Sequence, residues 1–138
     1  MRAAWHRTID AFDGLSEIAR VMSRGASHVS GRAGSSTTLV MGAMARAFGT
    51  PRLLVTAHLD QADETVEELQ AQGRDGLRFP ALETLPGETA IRSDLLAERL
   101  RVLQVIGDAS PPLIVAPIAS LMQPVPPTEE LGDMLRTI

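Results

Sequence analysis

The 138 residues contain neither cysteine nor lysine, and each absence closes a class of chemistry. Without cysteine there is no disulfide and no thiolate metal ligand, so packing must hold the fold together. Without lysine, all 13 cationic side chains are arginines. Aromatic residues amount to 3%, with one tryptophan and no tyrosine, so platforms for stacking nucleobases are poorly supplied. An excess of positive charge is missing too. The net charge is −4 and no basic face stands out, which argues against direct nucleic-acid binding. No apolar run reaches the length of a bilayer span. The opening residues Met1 to His6 are not followed by an apolar signal core. The expectation is a cytoplasmic protein with no membrane partner.

What is present fits one domain of ordinary size, with 44% hydrophobic and 22% charged residues. Leu15, Ile18, Ala19 and Met22 recur at helical spacing after an Asp13-Gly14 turn. A brief extended stretch, Ala26 to Ser30, precedes Gly31. Val40, Met44, Ala47 and Phe48 mark a buried helix face closed by Gly49 and Pro51. Arg52 to Ala57 is a short apolar run that suits a strand covered on both faces. Ala62, Val66 and Leu69 mark a helix closed by Gly73 to Gly76, and Leu77 to Pro80 is a shorter strand. A loop from Ala81 to Glu88 is built around Pro86-Gly87. Leu96, Leu100, Leu103 and Ile106 place a stripe on a longer helix with Ser93 at its N-cap. Leu113 to Ala116 is the strongest strand, followed by a helical turn from Ile118 to Met122. Pro124 to Pro127 is an extended linker, and Thr128 caps a last helix. Strand and helix alternate, which predicts a parallel sheet with helices on its faces.

The segment Gly31-Arg32-Ala33-Gly34-Ser35-Ser36-Thr37-Thr38 stands where a phosphate loop would, between a strand and a helix. That loop has the form G-x-x-x-x-G-K-[ST]. Gly31 and Thr38 match. Ser36 replaces the second glycine and Thr37 replaces the lysine, whose charge would offset the β- and γ-phosphates. Backbone N–H groups at the helix start can still attract an anion. No acidic residue directly follows either apolar strand, where a magnesium ligand is expected: one strand runs into His58 and the other into Pro117. The preferred reading is a glycine-rich turn rather than a working nucleotide site.

Other candidates are weaker. His6, His28 and His58 share no metal-ligand spacing, and His58, just past a strand end, suits a surface or capping role. The serines at 35 and 36 have no nucleophile-elbow context. The acids at 60, 63, 64, 67 and 68 form the polar side of an amphipathic helix. Arg92, Arg99 and Arg101 are expected to pair with Asp94 and Glu98.

Three segments are more specific in combination: Leu77-Arg78-Phe79-Pro80-Ala81-Leu82-Glu83-Thr84-Leu85-Pro86-Gly87-Glu88, then Ala97-Glu98-Arg99-Leu100-Arg101-Val102-Leu103, then Pro112 through Pro127. Their order, from about Val29 to Pro127, resembles the N-terminal region of bacterial transcription-repair coupling factors. In that family a strand ending FPAWETLPYE precedes a helix of the same kind, and a later strand leads to a VPP segment. The resemblance implies a module similar to the excinuclease component UvrB, with a phosphate loop that has lost nucleotide binding. Gly31, Gly34, Ser35, Ser36, Thr37 and Thr38 would then be its vestige.

The family's DNA-translocating ATPase lies much further along the chain than Ile138. So does its RNA-polymerase-binding domain, and the subdomain that contacts UvrA, the damage-recognition component of the excinuclease, would begin near Leu135. The expectation is therefore a fragment. It would be an α/β, P-loop-NTPase-like parallel sheet with flanking helices, a degenerate nucleotide site and an incomplete sheet. It divides into a helical segment at 1–25, the α/β domain at 26–123 and a linker at 124–138. The implied function is a non-catalytic scaffold in transcription-coupled nucleotide excision repair, with no cofactor and no metal. Its partners would be the remainder of the coupling factor and, indirectly, the excinuclease component UvrA and RNA polymerase. The alternatives are a piece of UvrB itself or of a related helicase, and a stand-alone interaction module.

Overall fold

A computed structural model describes residues 13–26, 28, 35–47, 52–82, 92–106, 112–127 and 130. In chain order these form α1 (Asp13–Met22), α2 (Ser35–Ala47), β1 (Arg52–Thr56), α3 (Leu59–Ala71), β2 (Gly76–Arg78), α4 (Ser93–Val105), β3 (Leu113–Pro117) and α5 (Ile118–Leu121). Asp13 and Gly14 belong to α1 itself rather than to a turn before it. The expected strand at Ala26 to Ser30 lies mostly outside the described residues, and neither Ala26 nor His28 is in a strand. The turn around Pro86-Gly87, the Gly49-Pro51 stop and the Thr128 cap also lie outside them.

The three strands are parallel, in the order β1-β3-β2. Arg52 pairs with Leu113 and Thr56 with Pro117, while Gly76 pairs with Leu113 and Arg78 with Val115. The chain passes from β1 over β3 to β2 through α3, then returns to β3 through α4. The direction of travel reverses between the two crossovers. If both have the same hand, their helices must fall on opposite faces, and they do. Ala62 and Leu69 of α3 pack on Leu113 and Val115, with Leu54 and Val66 beside them. Val102 of α4 packs with Phe79 on Ile114 and Ala116, with Leu77 and Leu103 beside them. β3 is thus buried along its whole length, as a central parallel strand should be.

β1 corrects an expectation. Leu53 is 50% and Val55 46% exposed, so this strand is covered on one face only. The reason is its position: among the described strands it lies at the edge, and α4 lies over the β2–β3 half of its face of the sheet.

Local chemistry sets the helix ends. Gly73 has φ +67°, the left-handed conformation that glycine adopts without a Cβ penalty. Its N–H donates to the Gln70 carbonyl at 2.8 Å and the Arg74 N–H to the Leu69 carbonyl at 2.9 Å, the paired bonds of a Schellman stop. At the start of α4, Ser93 is the first helical residue and Arg92 holds the cap position without a side-chain capping bond. Arg92 instead pairs with Asp94 at 2.6 Å, and the arginine side chain is thereby committed to the first turn. Gly42 of α2 lies against the turn that follows α3: a Cβ on it would meet the Cδ of Arg74 at 2.6 Å and the Oε1 of Gln72 at 3.2 Å.

Candidate functional site: the carboxyl edge of the sheet

The carboxyl ends of parallel strands are where α/β proteins build sites. Here those of β2 and β3 meet at one side chain, Arg99 of α4. The Leu96–Leu103 stripe turns Arg99 inward, and it is 2% exposed. Among the described residues it is the only buried charged side chain. Its Nη1 donates to the Pro80 carbonyl at 2.7 Å, the Ser120 carbonyl at 3.2 Å and Gln123 Oε1 at 3.3 Å. Its Nη2 donates to the Pro124 carbonyl at 3.4 Å. The guanidinium carbon lies 4.1 Å from the centre of the Phe79 ring, a cation–π arrangement. Burial pulls the guanidinium below the ordinary arginine value. An arginine nevertheless stays charged at neutral pH, so these carbonyl dipoles and the ring take the place of a carboxylate.

Gln123 completes the node. Its Oε1 accepts from the Leu82 N–H at 2.7 Å and its Nε2 donates to the Leu82 carbonyl at 3.0 Å. The amide acts as a strand neighbour would, satisfying both backbone groups of Leu82. Ser120, fully buried, donates from Oγ to the Pro117 carbonyl at 2.8 Å and so turns the chain from β3 into α5. Phe79 N–H reaches the Val115 carbonyl at 2.8 Å, which carries pairing one residue past β2. The stretch after β2, the turn after β3 and the start of the proline segment are thereby held by one arginine and one glutamine.

Arg78, on β2, is a second hub. It donates to Asp63 of α3 at 2.7 Å and to Glu98 of α4 at 3.1 Å, so it ties both helices over the β2 edge. The hydrogen bond to Glu98, ahead of the one to Asp63, raises the arginine above its usual value. Glu98 therefore serves Arg78 rather than the arginines of its own helix, and Arg101 is exposed. The pairing of Arg92 with Asp94 is as expected.

The other sequence candidates do not converge. Ser35 to Thr38 form the first turn of α2. Ser36 and Thr37 are exposed, Thr38 is buried, and Gly31 and Gly34 lie outside the described residues. His58 holds the cap position of α3 but makes no side-chain capping bond. Instead Thr56 Oγ1 donates to the His58 carbonyl at 3.0 Å. His28 is exposed, and His6 lies outside the described residues. Among the described residues no group of histidines and acids could hold a metal ion, and no helix is long and apolar enough to cross a membrane.

Over 104 residues, 73% of its length, the chain is 31% identical to the transcription-repair-coupling factor of Bacillus subtilis (strain 168). It is related to a region of that factor. The match spans 9% of the length of that curated relative, so most of the coupling factor has no counterpart in the matched stretch. No family model matches the chain, and no solved structure matches it.

Proposed function

We propose that this chain is a non-catalytic scaffold region of a transcription-repair coupling factor, acting in transcription-coupled nucleotide excision repair. The family half of this reading rests on the 104-residue match. The non-catalytic half rests on the Arg99 node. A nucleotide site at the carboxyl edge needs a cation free to meet phosphate. Arg99 instead has both terminal nitrogens committed to Pro80, Ser120, Gln123 and Pro124, and the chain has no lysine to replace it. The segment from Gly31 to Thr38 is on this reading the vestige of a phosphate loop in a UvrB-like module. Contacts with UvrA and RNA polymerase belong to other parts of the coupling factor.

Two experiments test the halves separately. Calorimetric titration of the chain with ATP and magnesium gives no saturable heat at millimolar nucleotide. A saturable isotherm that Thr38→Val abolishes overturns the non-catalytic assignment. Deleting the gene removes the preferential repair of transcribed DNA strands, and an unchanged strand bias overturns the repair assignment.

A further inference from the structure

The chain leaves β2 at Arg78 and makes one further bond to β3, from the Phe79 N–H. Pro80, next in line, has no N–H to give. Beyond it, side chains take the place of a strand. Arg99 meets the Pro80 carbonyl, and Gln123 meets both backbone groups of Leu82. The stretch after β3 depends on the same two residues, since Arg99 also meets the Ser120 and Pro124 carbonyls and Gln123 belongs to that stretch. Arg99 Nη1 carries two hydrogens but faces three oxygens, those of Pro80, Ser120 and Gln123, within 3.3 Å. At least two of them share one hydrogen, so the two stretches are joined at a single nitrogen. Lifting Pro80–Leu82 away strips Arg99 of its nearest acceptor and leaves Gln123 Nε2 without Leu82. Lifting the stretch after β3 takes three acceptors from Arg99 and both partners from Leu82. A half-satisfied buried network is costly, so the opening of lowest energy releases both.

We propose that Arg99 and Gln123 form a latch, which locks the path of the chain after β2 to the direction in which it leaves β3 and releases the two together. The anchor of the latch is α4, whose Val102 is packed on Ile114 and Ala116, so the guanidinium keeps its place while the two stretches move. The prolines give the exit direction its consequence. Gln123, Val125 and Pro126 each precede a proline, which holds them to extended conformations. Proline-rich stretches act as semi-rigid spacers. A change at Pro124, whose carbonyl Arg99 holds at 3.4 Å, is thus carried to Pro127 rather than lost in a flexible joint.

Amide hydrogen exchange on the 138-residue chain tests it. The amides of Leu82 and Gln123 should share one opening free energy and one urea dependence, below those of Val115 at the centre of β3. Ser120→Ala then separates a latch from two independent attachments. It removes the bond from the Ser120 hydroxyl to the Pro117 carbonyl, on the β3 side, and no atom bonded to Leu82. With a latch, the Leu82 and Gln123 amides both exchange about tenfold faster in this variant, the effect of one lost buried hydrogen bond. Faster exchange at Gln123 alone overturns the proposal. So does a Leu82 amide that already exchanges with Val115 in the unaltered chain, since it then opens only with the whole sheet. The exit direction is read separately. The chain has no cysteine, so Glu64→Cys and Val125→Cys place two spin labels at exposed sites without competition. Their distance distribution should be narrow and should broaden when Gln123→Leu is added. An unchanged width overturns the coupling of the latch to the proline segment.

Discussion

Arg99 holds four oxygen acceptors and an aromatic ring with one planar group, a geometry that lysine cannot reproduce. Arg99→Met keeps an apolar stem over Phe79 but leaves buried carbonyls unmet. The expected loss is about 2 kcal/mol, read as a lower urea midpoint. Arg99→Lys retains the charge and loses part of the fork, so it falls between the two; a midpoint equal to wild type for either variant removes the node's role. Gln123→Leu strands both backbone groups of Leu82 and also costs about 2 kcal/mol. The exposed pair Arg92–Asp94 predicts a titration instead. The hydrogen bond from Arg92 lowers the Asp94 carboxyl below its usual range. A depressed carboxylate contributes stability that is present above the unfolded-state value and lost as pH falls through the folded one. Carboxyl NMR should place the Asp94 midpoint below that of an unperturbed aspartate, with Arg92→Gln returning it toward the unperturbed value. In the sequence Arg99 looks like one of three similar surface cations. The signal that could have set it apart is spacing: it lies three residues after Leu96 and four before Leu103, on the buried stripe rather than beside it. Its acceptors, 19 to 25 residues distant, were not legible.

At the scale of elements, two glycines near the junction of α3 and β2 act through different physics. Gly73 is needed for its positive φ, and Gly73→Ala should cost about 1 kcal/mol, the penalty of a Cβ in the left-handed region. Gly76 is needed for space. A Cβ there would meet Leu69 Cδ1 at 2.8 Å and Leu69 Cβ at 3.3 Å, inside the α3 core. Gly76→Ala should therefore cost about 1–3 kcal/mol by overpacking. Truncating Leu69 to alanine removes its Cδ1, so the further cost of Gly76→Ala should shrink in that background. The Gly73→Ala cost should not change, and equal behaviour of the two glycines in the Leu69→Ala protein would contradict this division. The helix stop at Gly73 was legible because its determinant is local. The cap at Arg92 was not, because a serine next to it satisfies the same local rule and a pair with Asp94 decides against it. β1 shows the same limit. An apolar run says that a strand can be buried on both faces, and only the sheet order says whether it is.

The whole molecule is organised about β3, which serves two cores at once. Alternating strands and helices made the α/β class and the parallel sheet legible, since each crossover is written in consecutive residues. The order β1-β3-β2 was not, because nothing local tells the chain to skip a position before returning to it. That order nevertheless has a measurable consequence. Val115 belongs to the core under α3 and Val102 to the core under α4, with the backbone of the sheet between them. Each valine is nearly inaccessible, and each substitution to alanine should cost about 2 kcal/mol. A central strand that merely separates two cores predicts that the double variant loses the sum, within about 0.5 kcal/mol. The comparison of single and double variants in urea decides the point. A coupling above about 1 kcal/mol would mean that the faces relax together through β3, and the sheet would then be a single soft layer rather than a partition between two cores.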